Sequence, residues 1–105
     1  GLMLWNKRYN GYGNSFDGPT SLVVDAAGNV YVTGYSTWSG TDVDCITIKY
    51  NSSGVQQWLM SYDGPVNGDD VPYAIAIDGS KVYITGKSEG ENTDYDYCTI
   101  KYSPD

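Results

Sequence analysis

The chain is short and acidic: its 105 residues include 13 acidic and 6 basic side chains and no His, which gives a formal net charge of -7. Without His there is no Ser/His/Asp or Cys/His catalytic arrangement and no His-ligated zinc. The Lys and Arg side chains are scattered along the sequence and do not form the basic cluster that binds nucleic-acid phosphates. No apolar run approaches the roughly 20 residues of a membrane-spanning helix. The length predicts one small domain, and we expect no cofactor, no metal, no nucleic-acid partner and no membrane partner.

Short strands are predicted along the whole chain. Tyr, Trp and Val occur in alternating runs separated by Gly, which is typical of half-buried strands, and no window shows the helical spacing of apolar residues. In chain order, the predicted strands are 2–9, 21–25, 30–35, 44–50, 55–62, 73–78, 82–87 and 96–102. The sequence therefore predicts an all-β fold.

These strands belong to two copies of one sequence unit. Residues 30–34 (VYVTG) return as 82–86 (VYITG), and 46–50 (ITIKY) return as 98–102 (CTIKY), both at an offset of 52 residues. Upstream positions return at an offset of 53 residues: Trp5, Tyr9, Gly11, Asp17 and Asp25 as Trp58, Tyr62, Gly64, Asp70 and Asp78. Self-similarity at a fixed period indicates a repeat architecture.

Each unit has the size of a β-propeller blade, since it carries four strands in about 52 residues. Turns containing Gly28 and Gly54 separate the strands, as tight antiparallel connections require. The chain, 1–105, then reads as a single two-blade unit with an outer strand at 1–9, a full blade at 21–62 and three strands of a second blade at 73–102.

The repeated motif resembles a known family. Asp25, Gly28 and the run 30–34, then the strand end 47–50 (TIKY) followed by Gly54 and Trp58, are similar to the SBBP-type β-propeller repeat of bacteria and archaea. The resemblance covers nearly the whole chain. It implies a propeller architecture and an extracellular or cell-surface location, but no chemistry, because that family shares no catalytic motif.

Two blades are too few to close a propeller ring, and the second blade lacks its outer strand. We therefore expect a homo-oligomer closed head to tail, in which the strand at 1–9 of one subunit completes the last blade of its neighbour. A homotrimer is favoured, with a homotetramer second. The alternative is that the chain is a fragment of a longer cell-surface propeller.

The loops at one rim of the blades carry most of the acidic residues together with several aromatic rings. Long loops on a rigid scaffold concentrate recognition, and rings beside carboxylates suit a glycan or a cationic peptide. The plainer interpretation is that these charges keep the protein soluble. The candidate ligand-binding residues are Tyr12, Asp17, Trp38, Asp42, Asp70, Asp94 and Tyr95.

An Asp-x-Asp pair stands before the third strand of each unit, at 42–44 and at 94–96. Such pairs can ligate Ca²⁺, but the six to eight oxygens of a calcium site are not in evidence, and the carboxylates can equally cap the loop. They also suggest glycoside hydrolysis, in which two acids flank a sugar. We expect a non-catalytic scaffold or binding module, with a carbohydrate-active enzyme as the alternative.

Two pairs of residues are interpreted structurally. Trp5 and Trp58 hold equivalent places on the outer strand and are expected to anchor packing, because large rings bury much apolar area. Cys45 and Cys98 fall at neighbouring, opposite-facing positions of equivalent strands. Buried thiols are therefore expected rather than a disulfide.

Overall fold

The computed structural model describes residues 1–9, 17–37, 43–62, 69–79, 81–89 and 95–103. Within these ranges the chain forms strands and no helix. The strands are β1 (Asp17–Val24), β2 (Val30–Thr37), β3 (Val43–Tyr50), β4 (Gln56–Tyr62), β5 (Asp70–Asp78), β6 (Lys81–Glu89) and β7 (Tyr95–Tyr102). The predicted all-β fold is confirmed.

The strands form two antiparallel sheets in which each strand pairs with its neighbour along the chain. Sheet 1 has the order β1-β2-β3-β4 and sheet 2 the order β5-β6-β7. The two sheets share one register: Thr33 lies opposite Thr47 in sheet 1, and Thr85 opposite Thr99 in sheet 2. The repeat in the sequence is therefore a repeat in the structure.

The first strand of each sheet begins earlier than the sequence predicts. Strand β1 starts at Asp17 rather than 21, and β5 starts at Asp70 rather than 73. In both strands the register shifts just after a proline, Pro19 or Pro72, and pairing resumes beyond it. Because proline lacks the N–H that a ladder needs, it marks a strand end in the sequence, whereas a bulge lets the strand continue past it.

The predicted strand at 2–9 is absent from this single chain, where residues 1–9 have no regular secondary structure. The segment is nevertheless placed against sheet 1, because Trp5 packs on Tyr50 with ring centroids 5.9 Å apart. Its indole Nε1 also donates to the carbonyl oxygen of Ser52 at 3.2 Å. A strand needs a partner strand for its backbone hydrogen bonds, and the described part of this chain supplies none for residues 1–9.

The hairpin turn between β1 and β2 is held by one carboxylate. Asp25 accepts hydrogen bonds from the backbone N–H of Ala27 and of Asn29 and from the hydroxyl of Tyr31. Gly28 supplies the positive φ of 88° that the turn requires. The hydrogen bonds of Asn29, followed by those of Tyr31 and Ala27, hold the pKa of Asp25 below its usual value.

Two apolar clusters stabilise the sheets. The first lies between them, where Tyr31 and Cys45 of sheet 1 pack against Ile75, Val82 and Ile84 of sheet 2. We call this contact the inter-sheet interface. The second cluster lies on the opposite side of sheet 1, which we call the outer face of sheet 1, and consists of Ile46, Ile48 and Tyr50 with Trp5 and Tyr9 packed on them.

Candidate functional site

The predicted ligand-binding rim lies largely outside the described residues. Tyr12, Trp38, Asp42 and Asp94 fall there, and Tyr95 is described only as the first backbone position of β7. Of the seven candidates, the structure places the side chains of Asp17 and Asp70, which open β1 and β5. Their proposed role in binding a ligand stays a prediction.

Asp17 and Asp70 make the same contact in their two sheets. The hydroxyl of Ser36 donates to Asp17, and the hydroxyl of Ser88 donates to Asp70. Each Ser is also the register partner of its Asp across the first two strands of the sheet. Asp70 is only 2% exposed, so this hydrogen bond helps to satisfy a carboxylate that would be costly to bury alone.

A neighbouring carboxylate joins the two sheets. Asp69, directly before β5, accepts a hydrogen bond at 3.1 Å from the backbone N–H of Val43, the first residue of β3. This bond lies at the end of the sheets where β1 and β5 begin and where β2 ends. Asp17, Asp69 and Asp70, all at this end, therefore each make a hydrogen bond within the fold.

The inter-sheet interface is nearly closed at this end. Cys45 and Tyr62 of sheet 1 meet Asp70, Pro72 and Cys98 of sheet 2 around a residual cavity of about 10 Å³. Both cysteines are free thiols. Burial raises the pKa of Cys45 to about 11, which keeps it protonated at neutral pH.

The outer face of sheet 1 contains a much larger cavity, of about 320 Å³. Its framework repeats that of the inter-sheet cavity, because Pro19, Gly34 and Ile48 stand where sheet 2 has Pro72, Gly86 and Ile100. In the inter-sheet interface, sheet 1 itself fills this space. On the outer face of sheet 1, the described residues that border it from outside the sheet are Lys7, Arg8 and Tyr9 of the segment at 1–9.

The two glycines of this framework are required by a close approach of the backbone. A Cβ atom at Gly34 would lie 2.2 Å from the carbonyl oxygen of Gly18, and one at Gly86 would lie 2.1 Å from that of Val71. No side chain fits at such distances. The glycines therefore let the first two strands of each sheet come together beside the proline bulge.

The two tryptophans occupy equivalent places on successive sheets. Trp58 of β4 lies between Tyr31 of its own sheet, at 6.2 Å, and Tyr102 of sheet 2, at 6.0 Å. Trp5 makes the corresponding contact with Tyr50 of sheet 1, the counterpart of Tyr102. Residues 1–9 thus lie on sheet 1 as β4 lies on sheet 2.

The sequence analysis missed one exposed residue of this arrangement. Tyr97 in β7 is 100% exposed, although its counterpart in sheet 1, Cys45, is 4% exposed. The signal was present in the alignment of the two units, where a large ring stands opposite a small buried thiol. The Tyr97 side chain points to the side of sheet 2 that lies away from sheet 1, which we call the outer face of sheet 2.

No cluster of three or more metal-ligating side chains occurs among the described residues. The same part of the chain contains no helix with the length and apolar character to cross a membrane. No family model matches the chain, and no curated protein matches it either.

Proposed function

We propose that this protein is a non-catalytic β-propeller module that assembles head to tail with further copies of itself into a closed ring. The placement of its two tryptophans carries the proposal. Trp58 reaches from sheet 1 to Tyr102 of sheet 2, and Trp5 makes the same contact with Tyr50 of sheet 1. Trp5 therefore lies where a tryptophan in the outer strand of a preceding blade would lie.

Strand exchange completes the second blade. In the described part of the chain β7 pairs with β6 alone, whereas its counterpart β3 pairs with both β2 and β4. If residues 1–9 of the next copy add to β7 as β4 adds to β3, Trp5 lies opposite Lys101 and Tyr9 opposite Tyr97. This pairing removes an exposed sheet edge.

The same exchange completes the surroundings of Trp5. Trp58 contacts Tyr31 within its own sheet, and the counterpart of Tyr31 in sheet 2 is Tyr83. In the ring, Trp5 then packs between Tyr50 of its own copy and Tyr83 of the preceding one. A homotrimer gives six blades and a homotetramer eight, both within the range of known propellers, and we favour the trimer.

The ring would act as a scaffold that presents its loops to a ligand, for which we propose a glycan or a cationic peptide. The acidic balance of the chain supports a cationic partner. Asp17 and Asp70 each accept a hydrogen bond from a serine hydroxyl. Carboxylates engaged in this way do not suit a hydrolase, which needs them aimed at the substrate.

The mass in solution tests the assembly. Sedimentation equilibrium should give three times the chain mass of 11.5 kDa, or four times for the tetramer. A folded protein that remains monomeric at all concentrations would overturn the proposal. A fragment of a longer propeller would also give that result, because its neighbouring blades would be missing.

Removal of residues 1–9 tests strand exchange. The shortened chain should lose the oligomer and show a lower thermal midpoint, because β7 and the outer face of sheet 1 are both left uncovered. Val55→Ala, at an exposed turn position, is the control and should leave mass and midpoint unchanged. An unchanged oligomer after the deletion would show that the segment is not shared between copies.

A further inference from the structure

The outer face of sheet 2 presents a large aromatic ring with no cover. Tyr97 is fully exposed at a position where sheet 1 has Cys45, and Cys45 borders the small cavity of the inter-sheet interface. Exposed rings of this size are common anchors of protein interfaces, because burying them removes about 150–250 Å² from water. Tyr97 is therefore a candidate for contact with another sheet.

The outer face of sheet 1 offers the matching space. Its cavity of about 320 Å³ has the same framework as the inter-sheet cavity, which retains about 10 Å³ after Cys45 and its neighbours have packed into it. The two cavities thus represent one kind of site, filled in one case and unfilled in the other. The side chain that fills it belongs to the position shared by Cys45 and Tyr97.

Taking the head-to-tail assembly proposed above as its basis, we infer that Tyr97 of one copy inserts into the cavity on the outer face of sheet 1 of the next copy. There its ring packs against Tyr9, Pro19 and Ile46, which border that cavity. The argument is one of continuity: the inter-sheet interface within the chain repeats between copies. The inserted residue is larger, because Tyr97 takes the place of Cys45, and the space open to it on sheet 1 is about 320 Å³.

Sedimentation of point variants tests the insertion. Tyr97→Ala should raise the dissociation constant of the oligomer by about 100-fold or more, as expected when a central aromatic anchor is lost. Tyr97→Phe keeps the ring and should stay within about threefold of the unmodified protein. The control is Tyr73→Ala, which removes another exposed tyrosine, in β5, and should have no effect. Since Tyr97 is fully exposed in the single chain, its loss should leave each monomer folded, as circular dichroism would show.

The outcomes separate this inference from the proposed function. An oligomer that tolerates Tyr97→Ala as well as it tolerates Tyr73→Ala would overturn the insertion and leave the ring intact. A protein that is monomeric before any substitution would overturn the ring and the insertion together. Native mass spectrometry adds a third outcome: a small molecule or foreign peptide bound to the monomer in the cavity would assign that space to another occupant and overturn the insertion.

Cross-linking gives a second, direct measurement. Cys45 and Cys98 border the same small cavity, and their counterparts at the junction between copies are Tyr97 and Ile46. In a chain carrying Cys45→Ala and Cys98→Ala, the changes Tyr97→Cys and Ile46→Cys should give disulfide-linked oligomers on mild oxidation, at protein concentrations where the Tyr97→Ala variant still associates. The control pairs Ile46→Cys with Tyr73→Cys and should remain unlinked. No link at Tyr97, or equal linking in the control, would overturn the insertion.

Discussion

The inter-sheet interface and the outer face of sheet 2 place equivalent residues of the two repeat units in different environments. Thr33 and Thr47 face each other at 3.2 Å between their hydroxyl oxygens and are fully buried, whereas their counterparts Thr85 and Thr99 make the same contact at 3.5 Å on an exposed surface. The local contacts of the repeat therefore form whether or not another sheet covers them. Burial depends on what lies across the face.

The contacts between lysine and tyrosine show the same independence. The Lys49 ammonium lies 5.5 Å from the centroid of the Tyr31 ring, and Lys101 lies 5.5 Å from that of Tyr83. By contrast, Leu22 is 59% exposed on sheet 1 while its counterpart Ile75 is 8% exposed on sheet 2. Contacts within a sheet follow the sequence of the repeat, and contacts between sheets follow position in the assembly.

The largest expected effect comes from replacing the two tryptophans one at a time. Trp58→Ala removes a ring packed on both sheets and should lower the free energy of unfolding by about 3 kcal/mol. Trp5→Ala removes a contact with one ring, worth about 1 kcal/mol, when measured below the concentration at which copies associate. Urea denaturation followed by circular dichroism provides both values. Equal losses would show that Trp5 already has its full set of contacts in the monomer.

The glycine of the proline bulge should be the next most sensitive position. Gly86→Ala forces a Cβ atom against a backbone oxygen that cannot move without breaking the strand pair, so we expect a loss of about 2 kcal/mol. Gly1→Ala, which has open space around it, is the matched control and should be neutral. Thermal unfolding of both variants tests this, and a stable Gly86→Ala protein would contradict the close approach.

High pH should weaken the inter-sheet interface through Cys45. Its pKa is about 11 in the folded chain against an ordinary value of 9.0, so the unfolded chain releases this proton first. The contribution is fully present below pH 9 and is lost as the pH rises towards 11. Urea denaturation at several pH values measures the slope. Cys45→Ala should flatten it, and an unchanged slope would assign the alkaline loss to other groups.

The smallest effect concerns the paired threonines. Thr33→Val removes the hydrogen bonds of Thr33 to the Ile46 carbonyl and the Thr47 hydroxyl in a buried place and should cost about 1 kcal/mol. Thr85→Val removes the corresponding hydrogen bonds at an exposed place, where water replaces them, and should be near neutral. A similar cost at both positions in chemical denaturation would mean that the outer face of sheet 2 is covered under the conditions used.

Much of the fold could be predicted because the sequence contains the same unit twice. The match between 30–34 and 82–86 fixes equivalent strands, and the structure pairs them in one register. The starts of β1 and β5 could not be predicted, because a bulge after Pro19 or Pro72 depends on pairing with the next strand rather than on local propensity.

The candidate site was harder to predict for a physical reason. Asp17 and Asp70 were selected as acidic loop residues, but the sequence does not show that each lies opposite a serine across a strand pair. The exposure of Tyr97 could not be predicted, because a tyrosine in a strand usually belongs to the core. Its exposure follows from the position of sheet 2 at the end of the described stack, and no local pattern encodes that position.

The consecutive order of strands in each sheet has a consequence for how the chain folds. Every pairing among the described strands joins neighbours along the chain, so the sheets can form by successive hairpin closures, each on a timescale of about 1–10 μs. Sheet 1 leaves the ribosome first and can fold before sheet 2 is synthesised. Strand β7 follows the other described strands and in the single chain pairs on one edge only, so its other edge is open to wrong pairing until the right strand arrives.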